Sequence, residues 1–313
     1  MKKSFWALSA GILASVALIA GCVGPEKYDS QKFSGNDAVQ KNASSYWQKD
    51  GWWSLPANTK KIVITEFSVG YVTENVHKTG ADGLSIIGMA EMFGSGRRVR
   101  DYGTGFKENF PTELYAEFVK ALEAEGFEVV PMNKVTSHPA FAKLSGAQPG
   151  RTQWANERNF IGGADRRNKV KTEFWPVKGL PIVDDEWFKG IDNAKGEAHL
   201  LYDLGAQAGM RVKMQLALTD DGFAVVEAGS LIRTIYDPQN SKTMNNTVDN
   251  YWVKGAGNIV SKAALRDDVP VATKADFEAF KGDIYKVDTE KFKTRIMKMF
   301  PTYARMAATT LKK

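Results

Sequence analysis

The chain contains a single cysteine, Cys22, which stands at the end of an apolar N-terminal segment. Two lysines near the start are followed by an apolar run over residues 5–19, and Ala20 and Gly21 precede the cysteine. A basic start, a short apolar run and small residues are the three parts of a secretory signal peptide. The run is shorter than the roughly 20 apolar residues that a membrane-spanning helix needs. A chain with one cysteine has no internal disulfide, so its stability must come from packing.

The segment from Leu18 to Cys22 resembles the lipobox of bacterial lipoproteins. The resemblance implies cleavage before Cys22, a diacylglyceryl group on its sulfur and an acyl group on its amine, which together hold a protein stably on a bilayer. Val23 follows, where an aspartate favours inner-membrane retention in Gram-negative lipoproteins, so the resemblance implies an outer-membrane anchor facing the periplasm. A Gram-positive source would place the anchor outside the cytoplasmic membrane. An ordinary signal peptide with a chance cysteine is the alternative.

Removal of residues 1–21 would leave 292 residues, enough for one large domain or two modest ones. The whole chain is 43% hydrophobic and 25% charged, which is typical of a globular protein with a sizeable core. Its formal charge of +6 falls to +4 when the two N-terminal lysines leave. This weak positive balance suits contact with anionic surfaces, and it is too small to indicate nucleic acid.

Changes in composition, together with glycine and proline residues, divide the chain into four expected regions. They are a signal peptide (1–21), a tether with an aromatic arm (22–60), an α/β body with two insertions (61–237, with insertions at 70–110 and 132–196), and a helical C-terminal region packed on the body (238–313). The arm carries Tyr46, Trp47, Trp52 and Trp53. These aromatic residues are expected either to pack on the body or to bind a partner.

The hydrophobic patterns predict the α+β class, with a mixed sheet of about four to five strands and helices packed on it. Residues 62–69 are rich in β-branched residues and predict a buried strand, and residues 111–126 predict an amphipathic helix. Residues 210–218 alternate strictly between apolar and polar, which predicts a strand with one buried and one solvated face. Residues 223–236 form the return strand of a hairpin. Residues 248–263 carry an apolar stripe that predicts a helix.

Part of the body resembles the periplasmic core shared by the curli-secretion lipoprotein and the N-terminal domain of TolB. The resemblance rests on a helix that ends in residues 121–130 and on a Leu-Gly-Ala turn at residues 204–206, followed by two amphipathic strands. It covers roughly residues 61–130 and 197–237, and Gln207 stands where those proteins have an aspartate. It implies a subunit of a trans-envelope secretion or ring assembly. The pore activity is not carried over, since no pair of long alternating segments is found.

Two basic, glycine-containing segments are candidate binding sites. The first holds Arg97, Arg98 and Arg100, and it fails the dinucleotide fingerprint because a valine stands where the third glycine is needed. The second holds Arg166 and Arg167. Each is expected to be either a solvated loop or a loop that clamps an anion with bidentate arginines. If both lie on one face, they form a surface for glycan phosphates, lipid headgroups or an acidic partner.

Signals for enzymatic chemistry are weak. His77, His138 and His199 lie far apart without the short spacing of a metal site, and no metal or cofactor is expected. Carboxylates in residues 132–196, including Asp184 to Glu186, leave open an envelope hydrolase that acts on peptidoglycan or lipid.

The sequence therefore predicts a non-enzymatic, outer-membrane-anchored periplasmic lipoprotein that binds or assembles another envelope component. Its expected partners are the bilayer through Cys22 and either an envelope protein or an anionic glycan or lipid, without nucleic acid. A homo-oligomer is possible. The candidate binding residues are the five arginines together with Trp52 and Trp53.

Overall fold

The computed structural model describes residues 25–50, 59–78, 95–144, 146–159, 163–183, 187–236, 253–275 and 282–312. The helices are α1 (Asn36–Tyr46), α2 (Thr104–Ala124), α3 (Met132–Thr136), α4 (Trp187–Asp203) and α5 (Thr289–Lys312). The strands are β1 (Glu26–Lys27), β2 (Trp47–Asp50), β3 (Lys61–Lys78), β4 (Ser95–Asp101), β5 (Glu128–Val129), β6 (Gly146–Ala147), β7 (Arg151–Asn159), β8 (Gly163–Pro176), β9 (Ile182–Val183), β10 (Ala208–Leu218), β11 (Phe223–Tyr236), β12 (Val253–Ser261), β13 (Leu265–Pro270), β14 (Ala272–Ala275) and β15 (Gly282–Val287).

The main sheet has 13 strands and is mixed, so the prediction of four to five strands is wrong although the α+β combination holds. Its main path runs β1-β13-β11-β10-β3-β4-β15-β14, with β12 and β2 added beside β11, β5 and β8 beside β3, and β7 beside β8. Strands β6 and β9 form a separate pair. Strand β13 stands near one end of this path and β14 stands at the other, yet only Val271 separates them in the chain. The two ends of the path therefore lie close together, and the sheet is strongly curved.

Most of the unpredicted strands lie in the expected insertions and in the C-terminal region. Strand β3 continues to Lys78, and β7 and β8 form a hairpin within residues 132–196. The residues of β7 and β8 are mainly polar and charged. These strands were not predicted because they lack the alternation of apolar and polar residues by which a strand is recognised in a sequence. The helix predicted over residues 248–263 is also wrong, because residues 253–261 form β12 between β11 and β2. The short helix expected near residues 84–93 lies outside the described residues.

One face of the sheet is covered by a layer of α1, α2 and α5. Helix α5 buries Phe292, Ile296 and Phe300 completely against this face. Helix α2 starts at Thr104 rather than at the predicted Pro111, which lies buried inside it. The glycine predicted to end α2, Gly126, has a positive φ of 89°, a conformation that glycine adopts without strain.

Residues 25–50 are not the expected tether, because they form β1, α1 and β2 on the body. Tyr46 and Trp47 are each only 1% exposed, and the Trp47 ring lies 4.9 Å from the ring of Tyr303 on α5. Trp47 also lies over Gly229, where no side chain would fit beside the indole. The first half of the aromatic arm therefore belongs to the core, and Trp52 and Trp53 lie outside the described residues.

The opposite face of the sheet is covered at one end by α3 and α4, with α4 lying on β10, β11 and β12. This cover changes the environment of the expected solvated face of β10. Arg211 is 6% exposed and Gln215 is 4% exposed, so the alternating pattern marks a strand that is buried on both faces. Helix α4 accounts for the burial of its polar side.

At the other end the sheet carries a projection that we call the extension. Strand β3 pairs with β10 as far as Tyr71, and from Glu74 onwards it pairs with β4 instead. On its other edge β3 pairs with β8 from Ser68 to His77, and β8 pairs with β7. The extension is thus the four-stranded part in the order β4-β3-β8-β7, and it carries both basic segments of the sequence.

Candidate binding site

The first basic segment is a strand and not the loop that the sequence suggested. Arg97, Arg98 and Arg100 all lie on β4. Because successive side chains of a strand point to opposite faces, Arg97 lies on one face of the extension while Arg98 and Arg100 lie on the other. These three arginines therefore do not form one clamp.

The face of Arg97 is basic. Val76 of β3 stands opposite both Arg97 and Lys169, and Glu74, on the same side, stands opposite Lys171. Arg97 Nε donates to the carboxylate of Glu74. Lys169 and Arg97 are exposed and Lys171 is half-buried, and neither lysine forms an ion pair with a described residue. We call this side of the extension, with Arg97, Lys169 and Lys171, the basic face.

Helix α2 limits the basic face on one side. Lys107, in the first turn of α2, forms an ion pair with Glu173 of β8, and its ammonium lies 5.5 Å from the centre of the Trp175 ring. Glu173 and Trp175 alternate with Lys171 along β8, so they share its side of the sheet. The helix covers the strand up to this point. Beyond this point no helix of the described residues lies over the basic side chains.

The other face of the extension uses its arginines in internal contacts. Arg98 Nη1 lies 2.7 Å from Asp220 Oδ2 in the turn between β10 and β11. Arg100 is only 3% exposed, donates from Nη1 to Asn75 Oδ1 at 3.1 Å, and stacks 6.0 Å from the ring centre of Tyr285. These contacts give Arg98 and Arg100 a structural role in joining β4 and β15 to the rest of the sheet.

The remaining candidates are only partly described. The backbone of Arg166 and Arg167 lies in β8, so the second basic segment is also a strand of the extension, while their side chains lie outside the description. Cys22, Trp52 and Trp53 lie outside the described residues altogether.

A buried polar cluster under α4 was missed by the sequence analysis. Arg211 Nε and Nη2 donate to the two carboxylate oxygens of Glu197 at 2.8 and 3.1 Å, and the Thr65 hydroxyl donates to the same carboxylate at 2.6 Å. Glu66, which is fully buried, accepts from Ser68 at 2.8 Å. We call this set the polar layer. Lys213 Nζ lies 3.9 Å from Glu66 Oε2, so the two buried carboxylates face two cations. The burial of such a set under a helix is typical of a packing device that fixes α4 on the sheet.

Two of the three histidines meet at one carboxylate. His138 Nε2 and His199 Nε2 lie 3.2 and 3.1 Å from Asp203 Oδ2. The backbone N–H of Ala140 donates to His138 Nδ1, so the neutral His138 ring carries its proton on Nε2 and acts there as a donor rather than as a metal ligand. No group of three or more His, Cys, Asp or Glu residues in the described ranges is arranged to hold a metal ion. The side chain of His77 lies outside the description.

Several buried phenols have raised pKa values. Burial raises the pKa of Tyr71, Tyr102 and Tyr303 well above the ordinary value, so these hydroxyls stay neutral. The pKa of the Glu26 carboxyl in β1 is lowered. Burial alone would raise this pKa, but the hydrogen bonds that Lys32 and Tyr46 donate to the carboxylate outweigh the effect of burial.

Comparison with known proteins does not assign this chain to a family. No family model, curated protein or solved structure matches this chain. Within the described ranges, no helix is both long enough and apolar enough to cross a membrane.

Proposed function

We propose that this protein is a non-enzymatic lipoprotein, anchored to the outer membrane through Cys22 and facing the periplasm, which binds an anionic envelope component. The anchor is supported by the sequence of the N-terminal segment. The folded body already begins at Pro25, and three residues span at most about 11 Å. A lipid on Cys22 would therefore hold the body close to the bilayer.

The basic face is the observation that carries the binding role. Lys169 and Lys171 are two residues apart on β8, so they lie on the same side of the extension. Arg97 lies on that side too, on β4, with β3 between the two strands. A projecting sheet gives these charges a fixed spacing. Among the described side chains, these three cations with the Glu74 carboxylate leave an excess of positive charge. Phosphate or carboxylate groups are the chemistry that such a surface attracts. Arg98 and Arg100 are not part of this site.

Two other functions stay open as alternatives. The resemblance to the curli-secretion lipoprotein and TolB favours a subunit of a trans-envelope secretion or ring assembly, and a long projecting sheet is compatible with assembly. A hydrolase acting on peptidoglycan or lipid would instead need carboxylates that converge in an open cleft. The carboxylates that the sequence offers for that chemistry, Asp184 to Glu186, lie outside the described residues. The carboxylates of Glu197 and Glu66 are fully buried, so these two do not support it.

Retention of the full chain on heparin, a generic polyanion, tests the binding role. We expect the triple variant Arg97→Glu, Lys169→Glu, Lys171→Glu to elute at clearly lower salt than the wild type, since exposed charge attraction is screened within about 10 Å at 0.1 M salt.

The matched control changes three exposed lysines elsewhere, Lys134→Glu, Lys143→Glu and Lys178→Glu, with the same change in net charge. It should elute close to the wild type. Equal losses in both triple variants would show that retention follows net charge, and the proposed site would be wrong.

A further inference from the structure

The extension ends in an exposed edge strand. Among the described residues β7 pairs with β8 and with no other strand. Arg151, Thr152 and Gln153, at its start, are exposed. The outer backbone groups of such an edge are available to another strand, and proteins usually protect or use an edge of this kind. The edge is nine residues long, and its pairing to β8 shifts register between Asn156 and Glu157. An edge of this length can specify its partner by register.

The sequence of β7 is complementary to itself. When two copies run antiparallel with Trp154 opposite Trp154, Arg151 of each copy stands opposite Glu157 of the other. Opposite charges facing each other across strands stabilise a sheet, and like charges destabilise it. If the two-fold axis lies between Trp154 and Ala155, Arg151 stands opposite Arg158 of the other copy. If the axis lies at Ala155, Arg151 stands opposite Asn159. Of the antiparallel registers that pair seven or more residues of β7, the Trp154-centred one alone sets opposite charges against each other.

From this complementarity we propose that the partner of β7 is a second copy of the chain, paired antiparallel about a two-fold axis at Trp154. An interface of this kind is isologous and closes at the dimer. It joins the two extensions into one continuous sheet of twice the strand number. The proposal rests on the edge and its register, so it stands independently of the proposed anionic partner.

The dimer also has a consequence for the basic face. The two-fold axis that relates antiparallel strands is perpendicular to the sheet. The basic faces of the two copies therefore lie on the same side of the joined sheet. The β8 strands of the two copies are then three strand spacings apart, about 14 Å. Lys169 and Lys171 of both copies would face one side, and two linked sites bind an extended polyanion more tightly than one.

Disulfide trapping tests the register directly. Cys22 is the chain's one cysteine, so full-length protein with Cys22→Ser has no thiol and the test does not depend on lipidation. With Trp154→Cys added, mild oxidation in detergent should give a disulfide-linked dimer. Thr152→Cys alone should give no disulfide-linked dimer, because its two copies would be four residues apart, about 13 Å, and a disulfide needs Cα atoms within about 7 Å. A mixture of Thr152→Cys and Asn156→Cys proteins should form the crossed dimer.

A charge swap provides a second test that avoids replacing the tryptophan. Light scattering should show dissociation of the dimer for Arg151→Glu and for Glu157→Arg, and recovery of the dimer when both changes are combined. Circular dichroism checks that each variant keeps its fold. A wild type that is monomeric at all concentrations would overturn the proposal. Equal crosslinking through Thr152→Cys and Trp154→Cys would overturn it as well.

Discussion

At the scale of single residues, the polar layer shows how far a local pattern can mislead. Arg211 lies on the side of β10 that alternation assigns to solvent, yet it is 6% exposed and forms a bidentate pair with the fully buried Glu197. Alternation records which positions are polar. It does not record that α4, the helix just before this strand, folds over the polar side and supplies a matching carboxylate from Glu197.

The pair makes Arg211→Met a strong test of the polar layer. Removal of the guanidinium leaves the Glu197 carboxylate buried without its main partner, and breaking one side of a buried ion pair costs about 3–5 kcal/mol. Chemical denaturation should show a loss of that size. The double variant Glu197→Leu, Arg211→Met should recover much of it, because no charge is then left buried. Equal losses for the single and double variants would mean that α4 does not depend on the charges.

The buried phenols predict alkaline sensitivity. The pKa of Tyr102 is raised in the folded state, so the neutral phenol contributes stability fully below its unfolded pKa of about 10, and that contribution is lost as the pH rises above it. The Tyr102 hydroxyl has no hydrogen-bond partner among the described residues, and phenylalanine fits the same space. Tyr102→Phe should match or exceed the wild type in stability at pH 7 and should lose less stability between pH 9 and 11. A larger loss in the variant would contradict this explanation.

At the scale of elements, the central strands and most of α2 could be predicted from apolar periodicity, and α5 lies in the region expected to be helical. The strands of the extension could not, since β7 and β8 are held by backbone pairing to β3 and carry mainly polar residues. For the same reason the arginines of β4 look like a loop in the sequence. Alternation separates Arg97 from Arg98 once β4 is known to be a strand. The grouping of Arg97 with Lys169 and Lys171 depends on cross-strand register between distant segments, which no local signal in the sequence records.

The docking of the N-terminal segment can be tested at Gly229. A methyl group there would collide with the indole of Trp47 and with the sulfur of Met214. Overpacking of this kind costs about 1–3 kcal/mol, so Gly229→Ala should lower the free energy of unfolding by that amount.

The control is Gly105→Ala in α2, where the new methyl meets no atom within 4 Å. It should be neutral or stabilise by up to about 1 kcal/mol, because alanine favours a helix over glycine. If the two variants behave alike, residues 36–50 do not pack on β11 as described.

At the scale of the whole molecule, the sheet unites residues that the sequence divides into separate regions. Strands from residues 26–50 and 253–287 belong to the same sheet as the predicted body. Truncation of either region would therefore remove strands from the sheet rather than trim a tether or an accessory helical region. The basic face and the N-terminal segment belong to one sheet, and the N-terminal segment follows the proposed anchor closely in sequence.

Lipid attachment has its own test in cells. Labelled palmitate should enter the wild-type chain and be absent from Cys22→Ala, since Cys22 offers the chain's sole thiol. The variant should also leave the membrane fraction after cell breakage. Equal labelling of both proteins would remove the anchor from the proposal while leaving the basic face to be judged separately.

The most direct test of the central claim is photo-crosslinking in intact cells. A photoreactive amino acid at position 169 lies on the basic face, and one at position 134 lies on an exposed site at α3. The proposed function predicts a defined adduct from position 169 that is absent from position 134 and is lost when Arg97 and Lys171 are changed to glutamate. No adduct from position 169, or the same adducts from both positions, would contradict it.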